Sequence, residues 1–147
     1  MIGLVDRALA LNPSFARGWL MSGQLRLWVG QPDLAIEHIE TSLRLNPRER
    51  MGQPLHILGL AYFFKRSLDE AASKLLLAIQ DDPGSPRTYQ ILAACYAHMG
   101  RLDEARAIVA QLRTITPVVV PDFLPWRNPE DRELLLSGLR LAAGEET

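Results

Sequence analysis

The sequence predicts an all-α fold, a right-handed superhelix of stacked helical hairpins. Short motifs that end in proline recur at Pro13, Pro47, Pro83 and Pro117, with spacings of 34, 36 and 34 residues. Each motif closes an apolar-periodic segment, because proline cannot continue the hydrogen-bond ladder of the preceding helix. Between successive prolines lie two helical patterns separated by a short break. Each unit is therefore predicted to be a helix-turn-helix.

The breaks inside the three units centre on Gly30, Arg66 and Gly100. Glycine readily adopts the left-handed conformation that ends a helix. Arg66 replaces glycine in the middle unit, and this departure is expected to cost about 1 kcal/mol or less if the left-handed turn is retained. Ser67, followed three residues later by Glu70, is a pattern typical of a capping box. We therefore expect the next helix to begin at this pair.

Small and apolar residues occupy matching positions in the three units. The first helices carry Trp19 and Gly23; Leu55, Leu58, Gly59 and Tyr62; and Tyr89, Leu92, Ala93 and Tyr96. The second helices carry Ala35, Ile39 and Ser42; Ala71, Leu75 and Ala78; and Ala105, Val109 and Leu112. This arrangement resembles the tetratricopeptide repeat, whose first helix follows W-x2-L-G-x2-Y. Small residues such as Gly23, Gly59 and Ala93 are expected to let the paired helices approach closely.

The register divides the chain into consecutive segments. Residues 1–13 match the second helix of a truncated repeat, and residues 14–49, 50–85 and 86–117 are three full repeats. One repeat helix cannot bury its apolar face alone, so the first segment indicates either a trimmed longer protein or a covering second chain. Residues 118–128 are predicted to form an extended linker, residues 129–143 a C-terminal capping helix, and residues 144–147 a frayed tail.

The predicted last helix has clear start signals. Asn128 is a good N-cap, Pro129 suits the first helical position, and the carboxylates of Glu130 and Asp131 favour the positive end of a helix. An apolar face made of Leu135, Leu139 and Ala142 follows. We expect this face to shield the last hairpin.

Residues 124–131 and 138–142 also resemble the closing segment of a bacterial family. In that family a tetratricopeptide array ends proteins that begin with an adenylate or guanylate cyclase domain, or with a DNA-binding regulatory domain. The resemblance implies the C-terminal regulatory or sensing region of a signalling protein. The metal-binding carboxylates of such a cyclase lie outside this chain, so the resemblance assigns no catalytic residue here.

Composition argues against several classes of partner. The 147 residues contain 16 Lys and Arg against 17 Asp and Glu, a net charge of −1 that offers nothing to a nucleic acid or an anionic membrane. No apolar run approaches the roughly 20 residues of a membrane-spanning helix. The single cysteine, Cys95, cannot form an internal disulfide, and no signal-peptide pattern opens the sequence. We expect a cytoplasmic location.

The sequence offers little site chemistry. His38, His56 and His98 lie far apart and have no companion at metal-ligand spacing. Glu37 and Glu40 flank His38 in the sequence, but neighbours one residue apart point to different helix faces. Cys95 is expected to pack as a small apolar side chain. We predict no enzymatic activity, no metal and no cofactor.

The predicted function is protein binding. By the resemblance, the first helices line a concave groove with side chains available to a partner. The predicted groove residues are Arg17, Leu20, Gln24, Leu27 and Trp28; Gln53, His56, Leu60, Phe63 and Phe64; and Arg87, Gln90, Ala94, Ala97 and His98. Basic and histidine side chains around an apolar centre predict a protein or peptide ligand that is apolar with some negative charge.

Alternatives remain open within this prediction. Phe63 is expected to contact the partner, whereas Leu27, Leu60 and Phe64 could instead pack between hairpins. Residues 118–126 could leave the groove empty or fill it. A structural module, which forms a homodimer through the uncovered helix at residues 4–11 and spaces an upstream output domain, is the alternative function.

Overall fold

The computed structural model describes residues 2–12, 14–45, 52–121, 124, 126 and 128–144. These residues form eight helices and no strand: α1 (Ile2–Leu11), α2 (Ala16–Trp28), α3 (Pro32–Leu45), α4 (Gly52–Phe64), α5 (Leu68–Asp81), α6 (Pro86–His98), α7 (Leu102–Arg113) and α8 (Pro129–Ala142). The all-α fold predicted from the sequence is confirmed. Pro13 and Pro47, as well as residues 145–147 of the predicted tail, lie outside the described residues.

Helices α2 to α7 form three hairpins. In the first two hairpins the first helix packs most extensively against the helix that follows it, α2 against α3 and α4 against α5, whereas α6 packs about equally against α7 and α8. Neighbouring hairpins contact each other through α3 with α4 and through α5 with α6. Smaller contacts join α2 to α4 and α4 to α6. This arrangement is a solenoid, in which the first helices lie side by side along one surface.

Glycines set the spacing within two hairpins. A Cβ atom added to Gly23 would lie 2.4 Å from Ile39 Cδ1, and one added to Gly59 would lie 2.6 Å from Leu75 Cδ2. Real Cβ contacts are essentially never this short, so a side chain at either position would force Ile39 or Leu75 to move. The close approach predicted at Gly23 and Gly59 is confirmed.

The three turns use the left-handed backbone. Gly30, Arg66 and Gly100 have φ values of 87°, 65° and 79°. Arg66 therefore retains the left-handed turn although it is not glycine. The predicted capping box is wrong, because the Ser67 side chain accepts no hydrogen bond from the backbone at the start of α5.

The core runs along the stack and is densest around α6. All ten residues from Thr88 to Ala97 are buried, including Ile91, Leu92 and Cys95. The expected packing role of Cys95 is confirmed. Such burial requires neighbours on every side of α6, and α5, α7 and α8 supply them.

The last helix lies in an unexpected place. Asn128 Oδ1 accepts a hydrogen bond of 2.9 Å from the Glu130 backbone N–H, so the predicted N-cap is confirmed. A helix that continued the stack would pack against α7, as α6 packs against α5. Instead, α8 packs chiefly against α6 and only slightly against α7. The helix therefore covers the inner side of the last hairpin rather than its end.

Among the helices described, none combines the length and the hydrophobicity that crossing a lipid bilayer requires.

Candidate partner-binding face

The predicted groove residues fall into three groups by exposure. We call the side of α2, α4 and α6 that carries them the inner face. Arg17, Trp28 and Gln53 are exposed, and Leu20, Gln24, His56, Arg87 and His98 are partly buried. Leu60, Phe63 and Gln90 are buried. The inner face is therefore open along α2, and it is largely closed from the end of α4 onwards.

Phe63 illustrates why part of the predicted groove is inaccessible. Its side chain is fully buried, with its ring centroid 6.2 Å from that of Trp126, which is itself buried. A partner could reach Phe63 only by displacing the chain's own C-terminal segment. The prediction that Phe63 contacts a partner is therefore corrected. Leu60 and Leu27 are also buried in the core, as expected if these side chains pack between hairpins.

The chain itself occupies the inner face of α6. Gln90 Nε2 donates a hydrogen bond of 3.2 Å to the Val119 carbonyl oxygen, and His98 Nε2 donates one of 2.6 Å to the Leu134 carbonyl oxygen. A Cβ atom added to Gly138 of α8 would lie 2.7 Å from Ala94 Cβ. The described residues among 118–142, which we call the C-terminal segment, thus lie across the predicted groove residues of the third unit.

The C-terminal segment also reaches the second unit. The Trp126 ring lies edge-on to the Phe64 ring, with centroids 4.9 Å apart. Arg66 Nη1 forms an ion pair of 2.7 Å with Asp131 Oδ1, and the Trp126 carbonyl oxygen accepts a hydrogen bond from Arg132. These contacts attach the start of α8 to the turn after α4.

A ladder of ring-bearing residues lies where the first helices end. Trp28, Phe64 and His98 are the last residues of α2, α4 and α6. The C-terminal segment covers the second and third of these side chains through Trp126 and the Leu134 carbonyl group. Trp28, by contrast, is 53% exposed.

A cleft of 570 Å³ lies beside the open end of the ladder. We call it the Trp28 cleft. It is lined by Leu27, Trp28, Val29, Gly30, Pro32, Phe64, Arg66, Trp126, Asn128, Glu130 and Asp131. Three of these side chains are aromatic, and three carry charge. The cleft therefore joins an apolar floor to an acidic rim contributed by α8.

Two histidines on the first two hairpins are held in polar contacts. His56 Nδ1 lies 2.8 Å from Thr88 Oγ1, and burial together with the positive charge of Arg87 lowers the pKa of His56 to about 4. His38 Nδ1 lies 2.7 Å from Ser22 Oγ, and burial followed by the charge of Arg26 lowers its pKa. Both imidazoles are therefore neutral near pH 7 and tie neighbouring helices together.

The structure gives these groups little scope for catalysis. The Ser22 hydroxyl neighbours an imidazole but is buried, so a substrate could not reach it. Burial raises the pKa of the Cys95 thiol to about 12, which keeps it protonated. Within the described ranges, no three His, Cys, Asp or Glu side chains are grouped to hold a metal ion.

Sequence reasoning missed the contribution of the C-terminal segment to this face. Trp126, Glu130 and Asp131 belong to the cleft, whereas the sequence suggested only an extended linker and a favourable helix start. A usable signal was the pair Leu124 and Trp126, since two large apolar residues in an otherwise extended stretch require a surface to bury them. Both are buried against the core.

The fold and its inner face define a helical-repeat solenoid of the tetratricopeptide type. Residues 65–119, from the turn before α5 to just beyond α7, match the family model described as "Tetratricopeptide repeat". The comparison with curated proteins gave no significant match.

Solved structures of similar fold cover nearly the whole chain. A crystal structure of MamA matches with a TM-score of 0.73 and 21% identity, over 97% of this chain and 85% of that one. YrrB, described as "a TPR protein with an unusual peptide-binding site", matches with a TM-score of 0.70 and 23% identity, over 97% of this chain and 75% of that one. TTC0263, a thermophilic TPR protein of Thermus thermophilus, matches with a TM-score of 0.65 and 23% identity, over 94% of this chain and 71% of that one. At these identities the likeness concerns the fold.

Proposed function

We propose that this chain is a non-catalytic protein-interaction scaffold that binds a segment of a partner protein on the open part of its inner face. The observation that carries the proposal is the chain's own C-terminal segment, which lies over the inner side of α6 through hydrogen bonds to Gln90 and His98. The described part of that segment leaves the equivalent surface of α2 uncovered. A surface that already binds a segment of chain at one end is suited to bind another at its open end.

The free-energy cost of uncovering the part of the inner face beneath the C-terminal segment favours binding on the open part. Moving the C-terminal segment aside would expose Leu124, Trp126, Leu135, Leu139 and Ala142, all buried. Each large apolar side chain contributes roughly 1.5–3 kcal/mol when buried. A partner segment would have to replace most of these contacts to displace α8. Binding along α2, as far as the exposed Trp28 at its end, requires no such displacement.

A peptide selection tests the proposal. Short random peptides displayed on phage would be selected against the full chain and against a variant in which Leu20→Arg and Gln24→Arg fill the open part of the inner face. Both side chains are only partly buried, so the variant should fold. Its control is Leu76→Arg with Leu77→Arg on the outer helix α5, where both side chains are exposed. Enrichment that survives in the control and disappears in the inner-face variant supports the proposal; equal enrichment on both variants would refute it.

A second candidate function is supported by the N-terminal helix. Leu4 and Leu11 of α1 are 69% and 82% exposed, and an apolar depression lies between α1 and α2. It is lined by Leu4, Val5, Ala8, Phe15, Gly18 and Met21. As an alternative we therefore propose a dimerisation or spacer module that uses α1. Light scattering across a tenfold concentration range should then show a dimer that Leu4→Glu with Leu11→Glu dissociates, and a monomer at every concentration would exclude this alternative.

The cellular context is also a proposal. The resemblance of residues 124–131 and 138–142 to the closing segment of bacterial signalling proteins supports a regulatory or sensing region in the cytoplasm. Pull-down of the chain with candidate output domains of a nucleotide cyclase or DNA-binding type would test this context. Failure of every such domain to retain the chain would count against it.

A further inference from the structure

The Trp28 cleft has a chemistry that selects among partner segments. Its floor is aromatic, since Trp28, Phe64 and Trp126 all line it. Its charged groups are Arg66, Glu130 and Asp131, so two carboxylates stand against one guanidinium. Because Arg66 and Asp131 form an ion pair, the remaining negative charge of the lining is that of Glu130.

Among the aromatic residues that line the cleft, Trp28 contributes least to the packing of the fold. The two corresponding residues, Phe64 and His98, are partly covered by the C-terminal segment, whereas Trp28 is exposed at the end of α2. Exposed indole faces attract ammonium and guanidinium groups, and this attraction is strongest for tryptophan among the aromatic residues. A carboxylate nearby adds to the attraction for a cation.

We propose that the Trp28 cleft binds a segment of a partner protein in which a lysine or arginine lies beside an apolar residue. The apolar side chain packs against Phe64 and Trp126, and the cationic side chain lies over Trp28 towards Glu130. The inference rests on the proposed binding function and defines its partner. It also revises the negatively charged partner expected from the sequence, because α8 brings carboxylates to a groove whose predicted residues included no acid.

The volume of the cleft fits this occupant. A space of 570 Å³ holds about two to three side chains rather than a folded element, because binding pockets for small ligands run from about 300 to 1,000 Å³. The bound segment would therefore be extended and would insert neighbouring side chains. It would approach α8 at its N-terminal end, where Asn128 and Glu130 form the rim.

The experiment is the composition and affinity of phage-displayed random peptides selected on the full chain. We expect the enriched peptides to carry a basic residue next to an aliphatic or aromatic one. For the most enriched peptide, Trp28→Ala should raise the dissociation constant roughly tenfold, and Glu130→Gln should raise it roughly threefold to fivefold. Replacing the basic residue of that peptide by glutamate should abolish binding.

Two variants keep the result interpretable. Trp28→Leu retains apolar bulk but removes the ring, so it should reduce the preference for a basic residue while binding to the apolar neighbour persists. Glu133→Gln, also on α8 but outside the cleft lining, should leave the affinity unchanged. Thermal unfolding of each variant establishes that the fold is retained.

The outcomes separate this inference from the proposed function. Enriched peptides that are acidic, or whose affinity is unaffected by Trp28→Ala, would overturn the cleft assignment. If those same peptides nevertheless fail to bind the variant with Leu20→Arg and Gln24→Arg, the proposed function is supported although the cleft assignment is wrong. Failure to enrich any peptide on the inner face would overturn both.

Discussion

Gly138 of α8 lies so close to Ala94 of α6 that an added Cβ atom would be 2.8 Å from the Ala94 Cα atom and 2.7 Å from its Cβ atom. Backbone atoms cannot move aside as the end of a flexible side chain can. This contact therefore fixes how deeply α8 sits on the inner face. The position of the whole C-terminal segment depends on it.

Gly138→Ala should loosen α8. Although alanine favours a helix, its methyl group would force α8 away from α6, and overpacking of this kind typically costs about 1–3 kcal/mol. Hydrogen exchange should show faster exchange in α8 with little change in α4 and α5. The matched control is Gly3→Ala in α1, where an added Cβ meets nothing within 4 Å. Equal exchange rates in α8 of the variant and the original chain would contradict this packing.

Phe63→Ala should destabilise the fold rather than probe binding. The ring is fully buried between the second hairpin and Trp126. Replacing a buried phenylalanine by alanine costs about 3–5 kcal/mol because it removes apolar contacts and leaves a cavity. Urea denaturation followed by circular dichroism measures this loss. Trp28→Ala, at an exposed site on the same face, should cost far less, and a comparable loss in the two variants would contradict the assigned burial.

Arg66 and Asp131 should be energetically coupled. The Asp131 side chain is only 13% exposed, and its carboxylate lies 2.7 Å from Arg66 Nη1. We expect a double-mutant cycle with Arg66→Gly and Asp131→Asn to give a coupling of about 1 kcal/mol, which decreases with added salt. Arg66→Gly alone should change stability little, since relief at a positive φ offsets the lost ion pair. A coupling near zero at low salt would mean that the pair does not hold α8.

His56 should make the protein less stable in mild acid. Its pKa is about 4 in the folded chain and about 6.5 when unfolded, so the unfolded chain binds more protons between these values. The free energy of unfolding should therefore fall as the pH is lowered from about 6.5 towards 4, by about 3 kcal/mol from this group. His56→Gln should remove that part of the pH dependence, and Arg87→Gln should reduce it. An unchanged pH profile in His56→Gln would contradict the assignment.

Much of the fold follows from local sequence signals. The recurring prolines and the matched small residues predicted stacked hairpins, because each signal acts within one hairpin. The close approach of Gly59 to Leu75 and the left-handed turn at Arg66 are local features of this kind. Asn128 is another, since its cap involves residues two positions apart. The exact division into repeats at residues 49, 85 and 117 stays a prediction.

The position of α8 could not be predicted in the same way. Helical periodicity identifies the apolar face formed by Leu135, Leu139 and Ala142, but it does not specify which neighbour covers that face. The choice between α6 and α7 depends on contacts between residues distant in sequence, such as Gly138 with Ala94 and Arg66 with Asp131. For the same reason the sequence could not assign Glu130 to the cleft.

The position of α8 decides which part of the inner face is open, and a nuclear Overhauser effect between the Gly138 α-protons and the Ala94 methyl group tests it. We expect a strong cross-peak, since the atoms concerned are in van der Waals contact. Its presence would place the C-terminal segment on the inner face and leave the Trp28 cleft as the open site. Cross-peaks from the apolar face of α8 to α7, with none to Ala94, would instead leave the whole inner face open and remove Glu130 and Trp126 from the cleft.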